Sequence, residues 1–259
     1  MMQPAFLVLS GDGINCERET AAALRDAGAN AEILHINDLA AKPDTLARFD
    51  GMAIPGGFSF GDELGSGQIL ALKIRHALGD AFFDFVAAQK PIIGICNGFQ
   101  VLVKLGLLPY PATQKRVMAL APNLQGGFID RWVTLQPAQN SICKWTEGME
   151  AFDLPIRHGE GRVVFGDDAV YDELKENGQI ALTYREDVNG SHQHIAGLCD
   201  PSGLIFGLMP HPEAFVYQAT NFAPQRDFMA AGAGAQIFRN IVTYLTETQK
   251  EKSYAGRPH

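Results

Sequence analysis

An α/β fold with a mostly parallel sheet is what this chain predicts, and three observations predict it. Over the first hundred residues, short apolar runs alternate with stretches whose apolar residues recur at helical spacing. The apolar runs show little polar alternation, as expected of strands covered by helices on both faces. Glycines gather where these runs end, in SGDGIN (10–15), PGGFSFGDE (55–63) and CNG (96–98). Ligands of such sheets bind beyond the carboxyl ends of the strands, where tight turns need glycine.

The elements follow in order. AFLVLS (5–10), stopped by GDG, reads as a buried strand. Residues 17–27 carry Ala21, Leu24 and Ala27 among charges, with Gly28 as a helix stop. AEILHI (31–36) is a second strand, with Asn37 or Asp38 as the cap of a short helix. GMAIPGG (51–57) is a third strand running into glycines. Residues 66–89 are helical with a break near Gly79. PIIGIC (91–96) is a fourth strand and GFQVLVKLG (98–106) a helix that stops at Gly106.

Beyond residue 107 the pattern changes. FIDRWVTL (128–135), RVVF (162–165), IALTYR (180–185), HIAGLC (194–199) and LIFGLM (204–209) are short strands joined by turn residues, forming a small antiparallel extension. Residues 167–177 predict a short helix and 234–248 a closing helix with Ile237, Ile241 and Leu245 on one face. The polar segment 250–259 is expected to fray. No repeat or linker interrupts the chain, so residues 1–259 read as a single domain.

Composition narrows the function. At 259 residues and 46% hydrophobic, the chain can bury a sizeable core. A net charge of -8 argues against a nucleic-acid partner, which asks for a basic face. The first apolar stretch is too short for a membrane span and lacks a basic flank, so neither a signal peptide nor a membrane anchor is expected. Cys16, Cys96, Cys143 and Cys199 form no CxxC pair, which reads as reduced thiols in a cytoplasmic enzyme or enzyme subunit.

The chemistry centres on Gly94-Ile95-Cys96-Asn97-Gly98. This G-x-C-x-G is the pattern of a strand–turn–helix elbow with cysteine as nucleophile. The glycines suit a sharp turn, and the turn leaves the sulfur at a helix N-terminus, whose dipole favours an anion. The alternative is that Cys96 is a small core residue, a common fate of free cysteine. Cys16, near a helix start, is a weaker rival, and Cys199 reads as core.

A nucleophilic cysteine needs a base, and the base an orienting group. LIFGLMPHPE (204–213) is an apolar strand that delivers His211 to the same sheet edge, with Glu213 two residues on. His158, in His158-Gly159-Glu160, competes as the base. His192 and His194 pair with it in a metal reading whose spacing matches no standard ligand motif, so no metal is expected. An oxyanion hole would draw on the Asn97 backbone N–H and on the Pro55-Gly56-Gly57-Phe58 turn.

PGGFSFGD, GICNGFQ and GLMPHPE, in this order and spacing, resemble the class I glutamine amidotransferases with a Cys-His-Glu triad. CNGFQ, GINCERE (13–19), NLQGGFIDRWV (123–133) and HGEGRVVF (158–165) are similar, more narrowly, to the glutaminases of phosphoribosylformylglycinamidine synthases. The resemblance runs over residues 6–245. It implies a flavodoxin-like open sheet, with Cys96 as nucleophile, His211 as base and Glu213 as third member. It also implies oxyanion or substrate contacts at Gly57, Phe58, Asn97 and Gln100. The chain departs from the family pattern at Gly127, at Ala214 and in a long 215–233 segment.

The activity so implied is hydrolysis of glutamine through a cysteine thioester. Ammonia would pass to a large synthetase subunit that uses ATP and magnesium to convert formylglycinamide ribonucleotide to the amidine. No cofactor is expected in this chain, which has no G-x-x-x-x-G-K-[ST]. A small bridging subunit is the second implied partner. Two other classes compete: another amidotransferase glutaminase or free-standing cysteine hydrolase, and a non-catalytic subunit that keeps the fold.

Overall fold

The computed structural model describes residues 3–221 and 227–255. Its strands are β1 (Ala5–Ser10), β2 (Asn30–His35), β3 (Gly51–Ile54), β4 (Ile92–Ile95), β5 (Met118–Pro122), β6 (Ile129–Pro137), β7 (Phe152–His158), β8 (Glu160–Phe165), β9 (Ile180–Tyr184), β10 (Ile195–Cys199) and β11 (Ile205–Leu208). Its α-helices are α1 (Glu17–Asp26), α2 (Ile36–Ala41), α3 (Gln68–Lys73), α4 (Gly79–Ala87), α5 (Asn97–Leu105), α6 (Asp168–Glu176) and α7 (Ala233–Ala255).

Nine strands form one sheet in the order β2-β1-β3-β4-β11-β10-β9-β6-β7. The first five are parallel, and the pairings from β11 outward to β7 are antiparallel. β5 and β8 form a separate two-stranded antiparallel ribbon. This ribbon is a small antiparallel extension, and the other antiparallel strands continue the main sheet. The chain steps from β1 outward to β2, then from β3 in the opposite direction to β4. Right-handed crossovers in opposite directions place their helices on opposite faces. The packing matches this: α1 packs on β1, β2 and α7, while α5 packs on β3, β4, β11 and α3.

Two strands escaped the sequence reading. β5 ends in Pro122 with two of its five residues exposed, and β7 is interrupted by Pro155, so neither shows a clean apolar run. The short helix after β2 is capped by the His35 ring, which accepts from the Asn37 N–H at 3.2 Å, and not by Asn37 or Asp38. The expected break near Gly79 is a π-helical turn over Ile74–Leu78 that ends there. The closing helix runs on to Ala255, into the segment expected to fray; residues 256–259 lie outside the described residues. The long 215–233 segment begins as a buried turn, and Tyr217 bridges back to Ala231.

The parallel strands are apolar to the core. Phe6, Leu7, Val8, Ala53, Ile54, Ile92, Ile93, Ile95, Phe206 and Leu208 are fully buried. This rigid centre holds four loops side by side at its carboxyl edge, those after β1, β3, β4 and β11.

Candidate active site

Cys96 stands between the last residue of β4 and the first of α5. Its backbone lies at φ 51°, ψ −104°, a region that costs a non-glycine residue about 1–3 kcal/mol. The conformation is locked from both sides: its N–H donates to Leu208 O at 2.8 Å, and its C=O accepts from Gln100 N at 3.2 Å. The flanking glycines are needed for approach distance. A Cβ on Gly98 would stand 1.8 Å from Ile54 O, and one on Gly94 would stand 2.6 Å from Gly98 O. Any side chain there would lift α5 off β3 and β4 and move the sulfur with it.

β11 pairs with β4 in register, Leu208 beside Ile95, so the chain beyond β11 reaches the same edge. There His211 N–H donates to Pro155 O at 2.9 Å, which ties the turn to β7. The His211 ring is buried, and its Nδ1 lies 2.5 Å from Glu213 Oε1, itself buried. Arg157 Nη2 stands 4.0 Å from the same carboxylate oxygen. Burial alone would pull the His211 pKa down, but the carboxylate, then the Cys96 sulfur, carry it well above its ordinary value. Nε2 is buried and makes no hydrogen bond.

Asn15, Cys16, Gly57, Phe58, Cys96, Phe128, Arg157 and His211 line one small pocket of about 110 Å³. The rings of Phe58 and Phe128, both half-exposed, pack 6.2 Å apart beside its mouth. The Cys96 thiol donates to Arg157 O at 3.7 Å across it. A larger cavity of about 480 Å³ opens between α4 and residues 111–114, at the other end of the central strands. No cysteine or histidine lines it.

The oxyanion candidates divide. The Asn97 N–H is the first of α5, where no intrahelical acceptor exists. Gly57 N–H makes no backbone hydrogen bond among the described residues, and its φ of 151° presses it against Gly13 O, where a Cβ would stand 2.5 Å away. Phe58 N–H, in contrast, donates to Gly13 O at 2.8 Å. That amide is therefore spent, and Phe58 contributes its ring to the pocket instead.

Gln100, expected as a substrate contact, is hydrogen-bonded within the protein. Its Nε2 donates to Glu160 O at 2.6 Å, and its Oε1 accepts from Asn97 Nδ2 at 2.9 Å. It does not line the pocket, and its place is between α5 and the turn joining β7 to β8. The Asn97 amide also bonds Asp62 Oδ1 and accepts from Ser59 N, fastening the 57–67 loop to α5.

His158 lies close by but does another job. Its Nδ1 sits 3.1 Å from Asn123 Oδ1, and burial, with a smaller push from His211, lowers its pKa to about 4. It is a neutral strut in the β7–β8 turn, whose Arg157 and Glu160 carbonyls meet Cys96 and Gln100. His192 packs on Tyr171 and Phe165, and it forms no metal cluster with His158 and His194 among the described residues.

Residues 3–245 match the family described as the CobB/CobQ-like glutamine amidotransferase domain. A phosphoribosylformylglycinamidine synthase subunit PurQ of Methanococcus maripaludis is 45% identical, over 94% of this chain and 98% of its own. The chain belongs to the PurQ family of glutamine amidotransferases. A PurQ of Dehalococcoides mccartyi is 41% identical, over 95% of this chain and 100% of its own. A chain in the structure of PurLQS from Thermotoga maritima superposes with a TM-score of 0.75 at 33% identity, covering 94% of this amidotransferase and 100% of that chain. A putative GMP synthase subunit from Thermoplasma acidophilum shares the fold, with a TM-score of 0.60 at 14% identity.

Asn15, Arg157 and Phe128 were missed as pocket residues, and Cys16 was weighed only as a rival nucleophile. Cys16, Asn15 and Phe128 lie inside the GINCERE and NLQGGFIDRWV motifs, so the signal was present, but nothing in the linear order says that these segments reach Cys96. Arg157 falls one residue before the third motif.

Proposed function

We propose that this chain is the glutaminase subunit of a phosphoribosylformylglycinamidine synthase and works as a single amidotransferase domain. The observation that carries the reading is a cysteine at a strained strand–helix elbow, beside a buried His211–Glu213 pair on the adjacent strand end. Family membership supplies the substrate, glutamine. Cys96 Sγ attacks the side-chain amide carbon, and its proton passes to His211. The oxyanion is met by the Asn97 and Gly57 N–H groups, fixed in place before the reaction. Protonation by His211 lets ammonia leave, and a γ-glutamyl thioester remains. Water, deprotonated by the same ring, then releases glutamate and restores the thiol.

Glu213 holds the ring with Nε2 toward the pocket and stabilises the imidazolium. Gln100 and Asn97 position the surrounding loops. The ammonia goes to a large synthetase subunit, with a small bridging subunit completing the assembly, as the name PurLQS of the Thermotoga maritima neighbour supports. ATP and magnesium belong to that partner, since this sequence carries no phosphate-binding Gly-rich motif. Among the described residues no helix is long and apolar enough to cross a membrane. The reading places the enzyme in the cytoplasm.

The test is glutamate release from glutamine by the purified chain, alone and with the synthetase partner, formylglycinamide ribonucleotide and ATP-magnesium. Release that depends on Cys96 and rises with partner and nucleotide is the expected result. A Cys96→Ala variant that still supports full glutamine-dependent synthesis would overturn the reading.

A further inference from the structure

Beside the triad sits a second thiol with no role in the chemistry above. Cys16 comes from the loop after β1, four strands of the sheet edge thereby contributing to one pocket. Its backbone N–H donates to Gly56 O at 3.3 Å, and Gly56 lies between the thiol and the His211 ring. A Cβ on Gly56 would meet His211 Cε1 at 2.7 Å and Cys16 Sγ at 3.5 Å. Cys16, His211 and Glu213 each offer a ligand atom, all within 4.8 Å of one another and all buried.

The histidine is set up as a metal-binding histidine would be. A ligating imidazole typically donates its far N–H to a carboxylate, which fixes the tautomer and raises the basicity of the free nitrogen. Here Nδ1 is on Glu213 Oε1 at 2.5 Å, and the buried Nε2 has no hydrogen-bond partner. Two thiols, Cys16 and Cys96, share its pocket. Cys₂His with one open position is a known zinc donor set, with bonds of about 2.3 Å to sulfur and 2.0–2.1 Å to nitrogen. Cys16 and His211 stand close enough to share one ion, and Cys96, on the wall of the same pocket, would join them by side-chain adjustment.

We propose that the pocket is a binding site for a thiophilic divalent cation, Zn²⁺ foremost, ligated by Cys16 Sγ, Cys96 Sγ and His211 Nε2, with Glu213 as the outer carboxylate. Both thiols lose their protons to solvent as the ion binds; no electron transfer is involved. The ion occupies the nucleophile, the base and the space for the amide together. Bound zinc therefore switches the glutaminase off reversibly, a consequence that rests on the chemistry proposed above, whereas the binding itself does not.

The experiment uses the full chain, reduced and then freed of competing thiols. It is titrated with Cd²⁺ alone, read by sulfur-to-metal charge-transfer absorption, and then with Zn²⁺ in competition. The expected result is one ion per chain with the absorption of two thiolates. Cys16→Ser and Cys96→Ser should each remove about half the band, and Cys143→Ser should leave it intact. Glu213→Gln keeps both thiols and should weaken binding about tenfold or more. Circular dichroism of each variant identifies any that fails to fold, and Glu213→Gln and Cys96→Ser then carry the test without Cys16→Ser. A band of one thiolate, or a titration that Cys16→Ser does not change, overturns the proposal. In parallel, Zn²⁺ should stop glutamate release and a chelator restore it. Two-thiolate binding that leaves glutamate release untouched would uphold the metal site and refute the assignment of the chemistry to Cys96.

Discussion

Replacing Cys96 by glycine should leave the protein more stable than replacing it by alanine, with glutaminase activity abolished in both. The residue is held at φ 51°, ψ −104°, where a Cβ is sterically opposed. Such strain costs about 1–3 kcal/mol, and glycine removes it. Against this, glycine frees the unfolded chain by about 0.4–1 kcal/mol. The fitting comparator is Cys96→Ala, which keeps Cβ and its strain while losing the same sulfur contact to Arg157 O. The balance favours Cys96→Gly over Cys96→Ala by about 1 kcal/mol. For a chain of this size that corresponds to about 2–4 °C in melting temperature. Calorimetry of the two variants reads the difference, and glutamate release should be absent in both. A glycine variant that melts at or below the alanine variant would show that the elbow stores no backbone strain, and the account of how Cys96 is presented would fail.

Three further outcomes follow from the same geometry. The charged His211–Glu213 pair contributes stability that is complete below the ordinary histidine pKa of about 6.5 and lost as pH rises through the raised His211 value. Glu213→Gln removes the largest of the influences that oppose burial, so its melting temperature should fall much less across that window; an equally steep fall in the variant, measured by calorimetry against pH, would sink the assignment. Gly98→Ala puts a Cβ 1.8 Å from Ile54 O and should cost at least about 1–3 kcal/mol while displacing Cys96; a variant that keeps wild-type kcat and stability would contradict the close approach of α5 to β3. Asn123→Ala removes a buried amide that bonds Gly127 O and His158 O and faces the His158 ring. It should destabilise by about 1–3 kcal/mol and lower kcat more than it changes KM, because the β7–β8 turn carries the carbonyl that meets Cys96. Denaturant unfolding and steady-state kinetics test both parts.

Much of the parallel half was legible because its signals are local. β1, β3 and β11 are apolar runs closed by glycine or proline, β4 is one that ends at Cys96-Asn97-Gly98, and α1 and α5 carry helical spacing up to Gly28 and Gly106. The elbow was legible because two glycines around Cys96 have few other reasons to occur together. β7 was not, since Pro155 and charged residues break its apolar run while sheet pairing with β6 supplies what the pattern lacks. Phe58 and Gln100 were placed at the site by motif position, but whether a given amide is free depends on its neighbours. Gly13 O had already taken the Phe58 N–H, and Glu160 O the Gln100 amide.

The linear order of residues determined the alternation of strands and helices, the strained cysteine and the histidine with its carboxylate two residues on, because each rests on steric or periodic rules that act within a few residues. Only the tertiary structure decided what meets in the pocket. Cys16, Cys96 and His211 arrive from three separate strand ends, and Arg157 from the antiparallel half. Their meeting depends on sheet order, β1-β3-β4-β11, which is set by the packing of whole elements and which no local pattern encodes.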